Sequence, residues 1–309
     1  MRVGAALVAV SCVSLAACGG SGGGASTEGG VPDAGRTLEQ LWHDGGDDVA
    51  IVPGTKHYVP GEVRVSFLVV DSQGRPLKLP TARVWVSRSL DAKPLLHTEA
   101  KLERIGVPGQ DAADATHIYV LHFWAKEPGT YWLLAVPVGG GEAVHAIGEL
   151  KVVTHDRVPE VGTRPPTMQT PTLASASGDV AKLTTRVPPD RDLLRYSVAD
   201  SLRARTPFVV TFATPKFCQS RTCGPVVDVV EQVASRFRSR GVRFIHVEVY
   251  ADNDPTRGYN RWMRAWHLDT EPWTFVVNRE GRVAVRFEGT VSVRELSDAV
   301  QRVAPKSPS

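Results

Sequence analysis

The side chains best suited to chemistry are Cys218 and Cys223, in the stretch Phe208-Val-Val-Thr-Phe212-Ala-Thr-Pro-Lys-Phe-Cys218-Gln-Ser-Arg-Thr-Cys223-Gly-Pro225. Four intervening residues are enough to bring two Cα atoms to the usual bridging distance of roughly 5.5 Å. Exchange of such a bridge needs one sulfur as a thiolate near neutral pH, which a helix N-terminus stabilises through unpaired N–H groups and a partial positive charge. Gly224 and Pro225 are a helix-start signal directly after Cys223, so Cys223 is the candidate for the lower pKa. Five steps turn an α-helix by about 500°, so Cys218 cannot share a helical face with Cys223 and residues 219–222 must fold back as a loop. Arg221, between the two, favours a thiolate. A purely structural disulfide that clips a surface loop has the same sequence signature and stabilises by about 2–3 kcal/mol.

The other end of the chain sets the compartment. Residues 1–17 carry one positive charge, Arg2, and an apolar run over residues 3–15 that is too short to span a membrane comfortably, which reads as a secretory signal peptide. It closes on Leu15-Ala16-Ala17-Cys18, which resembles the lipobox of bacterial lipoproteins, and that resemblance implies a lipid-carrying Cys18 at the mature N-terminus. The glycine-rich run that follows behaves as a flexible coil, so residues 18–46 read as a tether. Cys12 falls within the signal and Cys18 would be linked to lipid, so of the four cysteines only Cys218 and Cys223 are left to pair in the exported body. Outside the cytoplasm such a pair is oxidised or cycles between states. A net charge of +3 makes no case for nucleic acid as a partner. The expected place is the outer face of the cell membrane, held through Cys18.

Between tether and cysteines the periodicity changes twice. Residues 37–43 suit a short amphipathic helix. Val63, Val65, Phe67 and Val69 alternate with more polar neighbours, as do Ala82, Val84 and Val86 and then Tyr119, Leu121 and Phe123, with turn residues between. Residues 47–155 therefore read as an antiparallel sandwich of about seven strands. Its histidines His57, His97, His117, His122 and His145 have no tight ligand spacing, and His117 and His122 point to opposite faces of one strand. Residues 156–189 are rich in proline and threonine and read as an extended interdomain linker, with room for its later part to lie against the next domain. From 190 to 305 come a helix over 190–204, the strand over 208–212, a helix over 225–240 closed by Gly241, a strand over 242–249, a helix over 259–267, two strands over 274–277 and 283–287, and a helix over 292–303. That succession implies a mixed sheet with helices on both faces.

In this last region the chain resembles the thioredoxin-like family. The resemblance rests on the strand Val209-Val-Thr-Phe212 entering a cysteine-bearing loop, on Cys223-Gly-Pro225 opening a helix, and on Glu271-Pro272-Trp273-Thr-Phe-Val-Val-Asn-Arg-Glu-Gly281, which is similar to the proline strand and hairpin of membrane-tethered, envelope-facing thioredoxins. It implies an α/β thioredoxin-like C-terminal domain, and the block before it resembles in outline the immunoglobulin-like sandwiches of bacterial envelope proteins. It also implies a cis Pro272 lying against the cysteine loop, thiol-disulfide exchange through Cys218 and Cys223, and no cofactor. The implied partners are protein thiol or disulfide clients, or a membrane electron donor. The chain departs from the family in its C-x-x-x-x-C spacing, in Thr211 where many thioredoxins keep a buried acid, and in Glu271, whose anion before the proline raises a neighbouring thiol's pKa. Two alternatives stand beside exchange. One is a non-catalytic envelope binding module with a structural disulfide, and the other is a copper chaperone using a distant histidine such as His267. Trp262, Trp266 and Trp273 are candidates for an apolar docking surface or for core.

Overall fold

The computed structural model describes residues 35–44, 46–107, 116–139, 144–217 and 226–305. The signal, Cys18, Cys218, Arg221 and Cys223 lie outside the described residues. A capping box opens the first helix, α1 (Leu38–Trp42): the Thr37 hydroxyl accepts from the Gln40 N–H, and the Gln40 side chain accepts from the Thr37 N–H. Leu38 and Leu41 of this short helix pack against Trp85, Leu134 and Val136.

The period-two stretches form seven strands: β1 (Asp47–Pro53), β2 (Gly61–Val69), β3 (Thr81–Ser87), β4 (Leu96–Arg104), β5 (His117–Ala125), β6 (Gly129–Val138) and β7 (Val144–Val152). They close into a barrel in the order β1-β2-β5-β4-β3-β6-β7, around a core that includes Val65, Phe67, Val84, Tyr119, Leu121 and Leu133. Of the expected immunoglobulin-like sandwich of about seven strands, the structure shows the coarser feature, seven strands in one closed, barrel-like ring. The ring closes because two strands change partner along their length. Residues 47–50 of β1 pair in parallel with β7 and residues 51–53 antiparallel with β2, while β4 pairs first with β3 and from Lys101 onward with β5. Alternation in sequence marks which face a side chain takes but carries no record of a change of neighbour.

Residues 156–189 hold no long element, and they are tied to the four-stranded sheet and its helices at several points, most of all in their later part. The Thr163 carbonyl accepts from the Val283 N–H, Arg186 binds Asp228 at 2.8 Å and Glu231 at 2.5 Å, and Thr185 binds Glu248. The chain then forms α2 (Val198–Arg203), β8 (Phe208–Phe212), α3 (Val226–Phe237), β9 (Arg243–Val247), α4 (Arg261–Ala265), β10 (Trp273–Val277), β11 (Val283–Glu288) and α5 (Val293–Val303). The helix expected over 190–204 is interrupted, because Ser197 caps α2 afresh after a short 3-10 turn at Arg191–Leu194. The four strands form a mixed sheet in the order β11-β10-β8-β9, with β8 and β9 parallel and the other pairs antiparallel. Val209, Phe244 and Val276 face α3 and α5, whereas Phe208, Val210, Phe212, Ile245 and Phe275 face the α2 and α4 side. The mixed sheet with helices on both faces is as the sequence predicts.

From Gly35 onward the described residues belong to one compact unit, and the barrel is joined to the four-stranded sheet by polar contacts. Arg64 of β2 donates from Nε and Nη2 to the Glu295 carboxylate at 2.7 and 3.1 Å, and from Nη2 to the Thr290 carbonyl at 3.0 Å. Both side chains are buried, at 9% and 8% exposure. Burial alone would raise Glu295, but the charge and hydrogen bonds of Arg64 outweigh it and hold the carboxyl below its ordinary range. Arg64→Ala is expected to cost about 3–5 kcal/mol in urea unfolding, because it strands a buried carboxylate. Adding Glu295→Gln should recover part of that loss, since the amide carries no charge and can still accept from the Ser292 N–H.

Candidate functional site

Sheet register decides where the predicted site residues fall. β8 and β10 are neighbours with Phe212 opposite Trp273, so the segment leaving β8 and the segment entering β10 lie at the same end of the sheet. The first is Ala213-Thr214-Pro215-Lys216-Phe217, which leads to Cys218. The second is Asp269-Thr270-Glu271-Pro272, and its Glu271–Pro272 peptide is cis. Glu271 spans the two: its carboxyl accepts from the Thr214 N–H and from the Tyr250 hydroxyl, the latter at 3.2 Å.

The same carboxyl is pushed up to about 7. Burial is the main cause, the Glu248 carboxylate adds to it, and together they outweigh the hydrogen bonds from Tyr250 and Thr214. Near neutral pH Glu271 is therefore divided between acid and anion. Burial and the Glu271 charge in turn push the Tyr250 phenol up to about 12. Tyr250 stacks on Tyr259 at 5.7 Å between ring centroids and meets Phe217 at 6.4 Å, a half-buried aromatic ledge beside Glu271.

The segment leading to Cys218 is clamped from below. The Ala213 carbonyl accepts from His246 Nε2 at 3.0 Å, and since a carbonyl only accepts, that nitrogen carries the proton. His246 is buried, which lowers its pKa and keeps the ring neutral. The Lys216 N–H donates at 3.2 Å to Thr185 Oγ1, which donates at 2.7 Å to Glu248 Oε1. Glu248 is 4% exposed, and its Oε2 has no hydrogen-bond partner among the described residues. Sequence reasoning missed Thr185, His246 and Glu248. The available signal was Phe244-Ile-His246-Val-Glu248-Val249, where two polar residues interrupt an apolar strand at alternate positions. Thr211 is buried and its hydroxyl meets that of Thr274 at 3.1 Å, so the acidic groups of this corner come from the ends of β9 and β10 instead of from β8.

Of the tryptophans weighed as a docking surface, Trp266 and Trp273 are core: both are buried and pack on Phe275. Trp262 is half-buried and donates to the Gln169 carbonyl at 3.0 Å. His267 is exposed just beyond α4. Among the described residues no three His, Cys, Asp or Glu side chains come together as a metal ion would require, and no helix is long and apolar enough to cross a membrane.

A carboxyl raised by the fold disfavours the folded state once it ionises. The contribution of Glu271 is intact below its ordinary value of 4.5 and is lost as the pH rises through about 7. Glu271→Gln should therefore leave the melting temperature nearly unchanged at pH 4 to 5 and raise it relative to the native chain above pH 7. A difference that does not grow across that window would place the carboxyl in a solvated setting.

Comparison with known proteins finds similar solved structures at low identity. No family model matches it, and no curated protein does. Among solved structures it is similar to one described as a thiol:disulfide interchange protein DsbE from Chlorobium tepidum, at 12% identity and a TM-score of 0.33, over 47% of this chain and 98% of that one. It is also similar to a thiol:disulfide interchange protein of the thioredoxin family from Chlorobium tepidum TLS, at 18% identity and a TM-score of 0.31, over 46% of this chain and 95% of that one.

Proposed function

We propose that this chain is an extracytoplasmic thiol-disulfide oxidoreductase, anchored to the outer face of the cell membrane through a lipid on Cys18. Its exchanging pair is Cys218 and Cys223, in a thioredoxin-like domain preceded by the seven-stranded barrel. The observation that carries this reading is the convergence of the segment leading to Cys218 with the cis Pro272 segment, bridged by Glu271. In the reaction one cysteine thiolate attacks a client disulfide, forming one S–S bond and releasing one client thiolate. The second cysteine then displaces the other client sulfur, so two electrons pass to the client and the pair ends as a disulfide. The reverse sequence oxidises a client dithiol. Glu271, divided between acid and anion near neutrality, is suited to take the proton of the attacking thiol and return it to a departing one. Its anion opposes thiolate formation while Arg221 favours it, so the two modulate the pair in opposite senses. The partners are protein thiols or disulfides, or a membrane electron donor, and no cofactor is needed.

Equilibrating the exported body, full chain without signal, against defined glutathione or dithiothreitol ratios tests this. The pair should reduce reversibly at a potential above roughly −300 mV, the range of labile bridges. A potential well below that value, or no exchange with a model disulfide, would leave a structural bridge in a non-catalytic binding module. In that event replacing both cysteines with serine lowers stability and spares the cellular role.

A further inference from the structure

The outer side of the proline segment is held by the barrel. Residues 54–58, between β1 and β2, form a stiff loop. The Thr55 and Tyr58 hydroxyls are hydrogen-bonded to one another, Tyr58 also donates to the Thr55 carbonyl at 3.0 Å, and the Gly54 N–H donates to the Ser66 carbonyl at 2.7 Å. The loop's tip reaches the four-stranded sheet. The Lys56 and His57 N–H groups both donate to Glu288 Oε2, at 2.7 and 2.9 Å, and the other oxygen of Glu288 accepts from the Thr270 hydroxyl at 2.9 Å. His57 places Nε2 at 2.7 Å from Asp269 and Nδ1 at 3.2 Å from Asp156, with its ring edge-on to Trp273 at 5.4 Å. Asp156 in turn meets Arg286 at 3.2 Å.

Asp269, Thr270 and Trp273 therefore all bear on the barrel loop, and the two residues they enclose are Glu271 and Pro272. We propose that His57 is a positioning residue of the redox corner: through Asp269 and Glu288 the barrel loop holds the Glu271–Pro272 segment against the segment leading to Cys218. The corner then belongs to both halves of the chain, and the four-stranded sheet alone does not complete it. Facing His57 are Asp156 from the stretch after β7, Asp269 from the segment before β10, and Glu288 at the end of β11, with Arg286 beyond Asp156. Two carboxylates on two ring nitrogens call for the doubly protonated ring, since both nitrogens must then donate. The Asp156 hydrogen bond is the main cause that raises His57 to about 9, against the opposing effect of burial. The contact is thus in force at neutral pH and weakens as the pH rises through about 9.

This inference rests on the redox reading, and two measurements on the full exported chain keep the two apart. The first is amide hydrogen exchange over residues 269–273. His57→Ala should speed it by about tenfold or more at pH 7, as expected when a brace on a local segment is released. His57→Gln, which keeps one hydrogen bond without the charge, should fall between. The second is the rate of exchange with a model disulfide, which His57→Ala should slow roughly tenfold, since small displacements at a reacting centre cost rate. Asp269→Asn should do likewise, the double variant should add little, and the ratio of native to variant rates should shrink above pH 9. Unchanged amide exchange in both His57 variants overturns the proposal whatever the redox outcome. So does faster amide exchange in His57→Ala with a disulfide-exchange rate equal to that of an active native chain. A native chain that performs no exchange overturns the redox reading, and with it any positioning role for His57, while the amide data still show whether the barrel braces the segment.

Discussion

Antiparallel pairing of β8 with β10 is the constraint on which the rest depends. With Phe212 opposite Trp273, the chain leaving one strand and the chain entering the other share one end of the sheet. Every strand position here is buried, so a one-residue slip would turn Phe212 and Phe275 from one packed face of the sheet to the other. Aromatic packing enforces the register: Phe212 lies 5.0 Å from Trp266, and Trp273 stacks on Phe275 at 5.5 Å. The core of the α/β part thereby fixes the geometry of its chemistry.

Given that frame, the electrostatics of the corner follow from where its acids can sit. β8 offers a neutral pair, Thr211 with Thr274, deep between sheet layers where an unpaired carboxylate would be costly. Glu248 and Glu271 instead lie at strand ends, each held by hydroxyl or backbone N–H donors. Glu271 rises chiefly because burial disfavours its charged form, and the nearby Glu248 carboxylate adds to that in a region where water screens little. His246 adds no charge, because its burial keeps the ring neutral while it ties the Ala213 carbonyl.

Much of this was legible in the sequence, and the misses share a cause. Helical spacing of Val226, Val230, Val233 and Phe237 identifies α3, the Gly241 stop closes the 3-10 turn Arg238–Arg240 that follows it in the left-handed backbone at φ 75°, and the amphipathic stretch over 292–303 is α5. Local chemistry is sufficient for such features. The Glu271–Pro272 motif was visible only through a family likeness, because nothing local to the residues says which loop they will meet. Glu248 and Thr185, 63 residues apart, and His57 and Asp269, 212 apart, are brought together by tertiary packing alone. Proline-rich composition is silent on residues 156–189 for the same reason: it records the lack of regular structure and not the partners that Asp156, Thr163 and Arg186 find.

The barrel and the sheet meet too closely to be independent modules. Gly289 follows β11 with φ 72°, its N–H donates at 2.8 Å to the Pro272 carbonyl, and a Cβ there would run into the carbonyl oxygen of Gly54 in the barrel loop. Only glycine combines that left-handed backbone with so close an approach. The hydrogen bond that registers the proline segment on β11 and the backbone contact that seats the barrel loop thus pass through a single residue. The loop touches the proline segment's surroundings through main chain as well as through His57 and Glu288. Main chain in contact with main chain has no rotamer to absorb displacement, so this contact leaves the proline segment less room to move than a side-chain contact would.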